Sequence, residues 1–257
     1  MRFSSFIALV FAGLFPCKSA FAQTISIAQP KFTLHCAPED SSALLARLTI
    51  GAQAVERFFG HPFPRKFDVY VFPNRAALDK QWQQDWGDST FQSSCWMVAS
   101  GVAHRLDILS PRAWKEEACE HKAEDTLALR KLLHHELVHV YHGQHNPKPD
   151  FSGMDEMGWW VEGIAVYASD QLDEARLAGV RELLGKNAAP QVLQKFWSGK
   201  HKYGLAGSVA AWLDKVNGRA VLFQLLSCTD TSQALKLLQT DEVAMLEAWQ
   251  KFWSANH

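Results

Sequence analysis

The sequence predicts an α+β fold, with a small antiparallel sheet followed by a mostly helical second half. Residues 67–72 alternate apolar and polar side chains like a half-buried strand, and further strand-like segments extend to residue 109. From Thr126 onward the apolar spacing is helical almost to the end of the chain. Strands followed by helices are typical of α+β proteins. We expect residues 23–257 to form a single domain, with an α/β part to about residue 111 and a helical part from about residue 124.

The strands and the first helix have recognisable boundaries. Residues 41–58 carry apolar positions at helical spacing behind Ser41. The strand at 67–72 ends at Pro73-Asn74. Residues 96–99 and 102–109 are further strand segments, separated by Ser100-Gly101, and Pro111 ends the second. Residues 96–109 are therefore expected to include an edge strand that pairs with an extended partner.

The second half is predicted to be a series of helices. The first is long, begins behind the N-cap Asp125 and ends at Gly143. Further helices are expected at residues 159–169, 177–184, 209–216, 221–226, 234–238 and 243–253.

Composition excludes several classes of protein. Hydrophobic residues make up 47% of the 257 residues and charged residues 21%, as in globular proteins. The net charge of −1 argues against nucleic acid as a partner, because nucleic-acid binding usually needs a basic surface. After the N-terminal segment there is no run of about 20 apolar residues, so we expect no stable membrane insertion.

Residues 1–22 have the three parts of a secretory signal peptide. Arg2 supplies the positive start, residues 6–15 are a short apolar stretch, and Ala20-Phe21-Ala22 matches the cleavage-site pattern. Cleavage after Ala22 would give a secreted or periplasmic protein.

The mature chain would keep four cysteines, Cys36, Cys95, Cys119 and Cys228. In an exported protein these suggest two disulfides, with three possible pairings, although free buried thiols are the alternative. Cys95 and Cys119 are the closest pair in sequence, and a bridge between them would restrain the segment before the long helix.

The long predicted helix contains the motif His135-Glu136-x-x-His139. Residues four apart lie on one helix face, so both imidazoles can reach one Zn²⁺ ion. Glu136 then lies beside the metal, where it can take a proton from a zinc-activated water and later give it to the leaving amine. The alternative is a pair of histidines without a metal.

A catalytic zinc ion normally has a third protein ligand and one open position. The apolar helix at 159–169 contains one carboxylate, Glu162, which is costly to bury unless it is paired or binds a metal. Gly163 and Ala165 beside it would let a neighbouring helix approach closely. The alternative is a solvated Glu162 on the outer face of its helix.

These motifs resemble those of the gluzincin metallopeptidases, most closely the compact peptidase MA-like, or minigluzincin, group. The resemblance covers residues 67–226 and includes Trp160-x-Glu162-Gly163-x-Ala165 and the segment 203–213. It implies that His135, His139 and Glu162 are zinc ligands and that Glu136 is the general base. It also implies that the Tyr203 phenol stabilises the oxyanion, with packing as the alternative role of Tyr203.

The sequence departs from the family at two places. The segment 99–104 has no Glu where the aminopeptidase branch anchors a free amino end, so action as an endopeptidase is expected. The thermolysin branch has an acidic residue four positions after its ligand Glu, where this chain has Val166. Some other group is expected to orient the zinc-binding histidines.

Other residues offer alternative roles. His145 stands at the third-histidine position of the metzincin pattern, but that pattern needs a Gly where this chain has His142. His134 and His142 are expected to line or flank the site, or to lie at the surface. Trp82, Trp86 and Trp114 lie in polar stretches and would either face a substrate or be partly buried.

The function predicted from these features is an exported zinc metallopeptidase acting on a peptide or protein substrate. One alternative is a non-catalytic binding or scaffold protein of the same fold. The other is a zinc amidase that hydrolyses a non-peptide amide of the cell envelope.

Overall fold

The fold was analysed in a computed structural model that describes residues 24–255, so the predicted signal peptide lies outside the described residues. Five strands form one sheet in the order β1-β2-β3-β5-β4. They are β1 (Ile25–Ala28), β2 (Phe32–Cys36), β3 (Phe67–Phe72), β4 (Ala99–Val102) and β5 (Arg105–Leu109).

The sheet is mixed, so the prediction of an antiparallel sheet is wrong for its centre. β2 pairs with β3, and β3 with β5, in parallel, whereas β1–β2 and β4–β5 are antiparallel. Parallel neighbours need a crossover connection, and helices α1 (Pro38–Phe59) and α2 (Arg75–Trp86) provide it. β1, β2 and α2 were not predicted from the sequence, so the parallel crossovers were not expected.

The hairpin β4–β5 turns three residues later than predicted. Ser100 and Gly101 lie inside β4, and the turn is at Ala103-His104. β5 is paired on both sides, so only β4 of this hairpin is an edge strand of the sheet.

The second half is helical, as predicted, and with the sheet it confirms the α+β fold class. Its helices are α3 (Trp114–Glu117), α4 (Thr126–His145), α5 (Gly158–Ala168), α6 (Glu174–Gly185), α7 (Lys202–Asn217), α8 (Arg219–Leu225), α9 (Thr231–Leu237) and α10 (Glu242–Ala255). No helix within residues 24–255 has the length and apolar character needed to cross a membrane.

Helix α4 confirms the predicted N-cap but not the predicted end. The Asp125 carboxylate accepts a hydrogen bond from the Ala128 N–H at 2.9 Å. The helix continues past Gly143 to His145. A Cβ atom on Gly143 would lie 2.6 Å from the Pro149 carbonyl oxygen and 2.7 Å from the Ala103 nitrogen. Gly143 therefore permits close packing of the 103 and 149 backbones and does not terminate the helix.

One disulfide is present among the described residues, between Cys95 and Cys119, whose Cα atoms are 5.3 Å apart. Cys36 and Cys228 are free and buried, so the expectation of two disulfides is wrong. Cys36 lies in β2 and Cys228 follows α8, and both belong to the hydrophobic core. The alternative of free buried thiols holds for this pair.

Candidate metal centre

Helix α4 carries His135, Glu136 and His139 into the interior of the protein. Each has 6–7% of its surface exposed. Leu133, Leu137 and Val140 anchor the surrounding turns in the core, which fixes the direction of the motif face.

Helix α5 brings Glu162 to the same place. Glycine at the next position lets α5 and α7 approach closely, because a Cβ atom on Gly163 would lie only 2.5 Å from the Ala206 carbonyl oxygen. This confirms the predicted role of Gly163. With α7 against one side, α5 presents Glu162 to α4, and a quarter of the Glu162 side-chain surface stays exposed.

Three donor atoms converge between the two helices. The Nε2 atoms of His135 and His139 are 3.0 Å apart, and the Glu162 Oε2 atom lies 3.3 Å from the first and 3.6 Å from the second. Tetrahedral zinc ligands at about 2.0–2.1 Å from the metal lie about 3.3 Å from one another. The three residues therefore fit a metal ion, and they are the one such group among the described residues. The alternative of a solvated Glu162 on the outer face is excluded.

The electrostatics of the group favour an ionised carboxylate. Burial would raise the pKa of Glu162, but the two imidazoles outweigh it and hold that pKa well below its usual range. Burial would lower the pKa of His139, yet the negative charge of Glu162 and, further away, of Glu136 raises it overall. The ionised Glu162 carboxylate supplies the negative charge that favours a cation here, and a bound metal ion would take the place of the imidazole protons.

A protein partner that would orient the rings of His135 and His139 is not found among the described residues. The Nδ1 atoms of both His135 and His139 are buried without a hydrogen-bond partner in the protein. Val166, where the thermolysin branch has an acid, supplies none. The two rings are therefore oriented by packing, including the Phe151 ring 6.0 Å from His139.

A cleft of about 480 Å³ opens onto the motif. His135 and Glu136 lie on its floor, together with the first turns of α4. The segment 96–99, Arg176 and Tyr203 also line it. A volume of this size suits part of an extended chain or a small molecule.

Strand β4 lies directly against the motif. A Cβ atom on Gly101 would be 2.4 Å from the Glu136 carbonyl oxygen, so only glycine allows this approach. Among residues 24–255, no strand pairs with the outer edge of β4, and Ala99 at its start lines the cleft. The predicted edge strand is thus β4, placed beside Glu136.

Tyr203 lies at the start of α7 and lines the same cleft as Glu136. Burial raises the pKa of Tyr203, and the charges of Glu162 and Glu136 raise it further. The phenol therefore keeps its proton at neutral pH and can donate a hydrogen bond into the cleft. Its ring also packs against Trp197, with the centroids 4.9 Å apart. Its predicted part in catalysis stays a prediction.

The remaining histidines do not join the group. His145 lies on the continued α4 helix, bonds the Tyr141 carbonyl through Nδ1 at 2.9 Å and packs against Phe223. The metzincin alternative needs the chain to turn before His145, but α4 stays helical up to this residue. His134 and His142 are buried, and burial lowers the pKa of both, that of His142 to about 3.

The tryptophans singled out in the sequence do not line the cleft. Trp82 and Trp114 are almost fully buried, and Trp86 is 49% exposed but stacks on Trp82. The tryptophan of the cleft is Trp96, which the sequence analysis did not consider as a functional residue. The sequence feature that could have identified Trp96 is its position directly after Cys95, because a disulfide at Cys95 restrains the segment entering β4. Arg176 was missed as well, and no sequence pattern marks it.

No protein-family model matches the sequence, and no curated protein sequence matches it. The resemblance to gluzincins therefore depends on the motif residues themselves.

Proposed function

We propose that this protein is an exported zinc-dependent metallopeptidase that hydrolyses peptide bonds as an endopeptidase. The observation that carries the proposal is the convergence of His135, His139 and Glu162, at the spacing of zinc ligands, beside a cleft that His135 and Glu136 line. Two imidazoles and one carboxylate are a donor set that zinc prefers, and they leave a position open. The Cys95–Cys119 disulfide is compatible with an oxidising compartment outside the cytosol.

His135, His139 and Glu162 would hold the metal ion. When bound, zinc supplies a Lewis acid that polarises a carbonyl group and lowers the pKa of water to near neutrality. Glu136, next to His135 on the cleft floor, would take the proton of the attacking water and pass it to the leaving amine. The Tyr203 phenol would donate a hydrogen bond to the oxygen that becomes negatively charged.

The outer edge of β4 would bind the substrate main chain. Unpaired N–H and C=O groups on an edge strand accept an extended peptide as an additional strand. Gly101 keeps this strand against the Glu136 backbone, so an added peptide would run past the general base.

Metal analysis and hydrolysis of the mature chain test the proposal together. Residues 23–257 should retain about one zinc ion per chain and cleave casein and quenched peptides. Glu136→Gln should keep the zinc and lose hydrolysis, whereas Glu182→Gln, an exposed control in α6, should keep both.

Three outcomes would contradict the proposal. Full hydrolysis by Glu136→Gln would remove the general base. Zinc without hydrolysis of any amide would favour the non-catalytic scaffold. Cleavage of a cell-envelope amide but not of peptides would favour the amidase.

A further inference from the structure

Trp96 lies in a rigid part of the cleft wall. The Cys95–Cys119 disulfide joins its segment to the region before α4. The Arg75 guanidinium donates hydrogen bonds to the carbonyls of Ser94, Cys95 and Met97 at 2.9–3.1 Å. The Trp96 side chain is nevertheless 44% exposed, so its backbone is held while its indole faces the cleft.

The Lys202 ammonium group lies near the Trp96 ring. It is the first residue of α7, directly before Tyr203. Its Nζ atom lies 5.5 Å from the Trp96 ring centroid, 4.5 Å from that of Trp197 and 5.3 Å from that of Tyr203. All three distances are within the about 6 Å over which a cation is attracted to an aromatic face. Among the described residues, no carboxylate forms an ion pair with Lys202.

Trp96 and Tyr203 line the cleft but belong to different parts of the fold, and Trp197 packs against Tyr203. Trp197 and Tyr203 are in the helical half, against α5 and α6, whereas Trp96 is attached to the sheet. The Lys202 ammonium group, on a flexible side chain, bridges Trp96 and Tyr203. Such a contact is weak enough to break and reform during binding.

We propose that Lys202 is a specificity-determining residue that closes the cleft against Trp96. While Lys202 stays against Trp96, a flexible peptide segment can still enter the cleft. A loop of a folded protein is excluded, because its entry would require Lys202 and Trp96 to separate. This substrate class is an extension of the proposed peptidase function and rests on it.

Site-specific amine labelling of the metal-free mature chain tests the closure without any need for activity. Brief acetylation followed by mass spectrometry compares Lys202 with the exposed Lys200 in the same molecule. We expect Lys202 to react more slowly than Lys200. Trp96→Leu should raise the Lys202 rate about two- to fivefold, the effect of losing one cation–π contact. Trp86→Leu is the matched control, since Trp86 is similarly exposed but does not line the cleft.

Hydrolysis then tests the consequence for substrates. The comparison is between a folded protein and the same protein unfolded and alkylated. Lys202→Met and Trp96→Leu should raise the ratio of kcat/KM for the folded to the unfolded form about two- to fivefold. Lys200→Met and Trp86→Leu should leave this ratio unchanged.

The results separate the two proposals. Equal labelling of Lys202 and Lys200, or no effect of Trp96→Leu, overturns the closure whatever the activity. If the enzyme is active and Lys202→Met and Trp96→Leu leave the folded-to-unfolded ratio of kcat/KM unchanged, the specificity role of Lys202 is overturned. Hydrolysis of neither substrate by the wild-type chain contradicts the peptidase, and the labelling rates still decide the contact between Lys202 and Trp96.

Discussion

The Oε2 atom of Glu162 lies 3.3 Å from the Nε2 atom of His135, although the two residues belong to different helices. His139 completes the group from the same helix as His135. The contact defines the site, because two histidines alone leave a catalytic metal with too few protein ligands.

Loss of the Glu162 carboxylate should weaken metal binding. Glu162→Ala removes one of three donor groups. The zinc dissociation constant should rise by at least about tenfold, because loss of a residue that only hydrogen-bonds to a metal ligand already weakens metal binding by that factor. Competition with a chelating dye measures it. Glu182→Gln, whose carboxylate pairs with Lys186 at the surface, should bind zinc like the wild type. Unchanged affinity in Glu162→Ala would exclude Glu162 as a ligand.

The Tyr203 phenol should affect catalysis and not the metal. Tyr203→Phe removes a hydrogen-bond donor from the cleft and should lower kcat about 10²–10³-fold, the usual effect of removing one oxyanion donor. Zinc content should not change. Tyr70→Phe is a control, because Tyr70 lies in β3 beneath Arg105, away from the cleft. A kcat equal to that of the wild type would leave Tyr203 only its packing role.

The contact between α5 and α7 should make Gly163 sensitive to substitution. Gly163→Ala would place a Cβ atom 2.5 Å from the Ala206 carbonyl oxygen, and overpacking of this kind costs about 1–3 kcal/mol. Thermal unfolding should show a melting temperature several degrees lower. Gly185→Ala, at the exposed end of α6 with nothing within 4 Å, should be neutral or stabilising. Equal melting temperatures for the two variants would refute the close helix contact.

Asp107 should make stability depend on pH. Burial raises its pKa to about 6, although Arg105 opposes this by a hydrogen bond and by its charge. The unfolded chain has an Asp pKa of about 3.9, so the folded state binds more protons between these values. Stability from this group is therefore complete below pH ~4 and falls by about 3 kcal/mol as the pH rises through about 6.

Denaturant unfolding across this range, with Asp107→Asn, measures the effect. The free energy of unfolding of the wild type minus that of Asp107→Asn should decrease as the pH rises from about 4 to about 7. Asp155→Asn, in which an exposed residue that does not contribute to the Asp107 shift is changed, should show no such trend relative to the wild type. A difference that is constant with pH would contradict the raised pKa.

The thiols should report the disulfide pattern. In the native mature chain, Cys36 and Cys228 are buried, and burial raises the pKa of both, so neither should react with a thiol reagent at neutral pH. Unfolding without reductant should expose two thiols, and unfolding with reductant four. Two reactive thiols only after reduction would mean that Cys36 and Cys228 are bonded as well.

Local patterns predicted much of the fold. The strand at residues 67–72 and the N-cap at Asp125 were correct because they depend on neighbours in the sequence. Helix α2 was missed because it buries only Leu78 and Trp82, too few apolar positions to show a period. Strand β2 was missed although Phe32, Leu34 and Cys36 alternate in the expected way.

The sequence by itself determined the pair of histidines, because four residues of α-helix place two side chains on one face whatever surrounds them. Only the tertiary structure decided that Glu162 is the third member, that β4 lies on the Glu136 backbone and that Trp96 and Tyr203 face one cleft. These relationships join segments far apart in the chain, and they depend on packing between elements, which local periodicity does not specify.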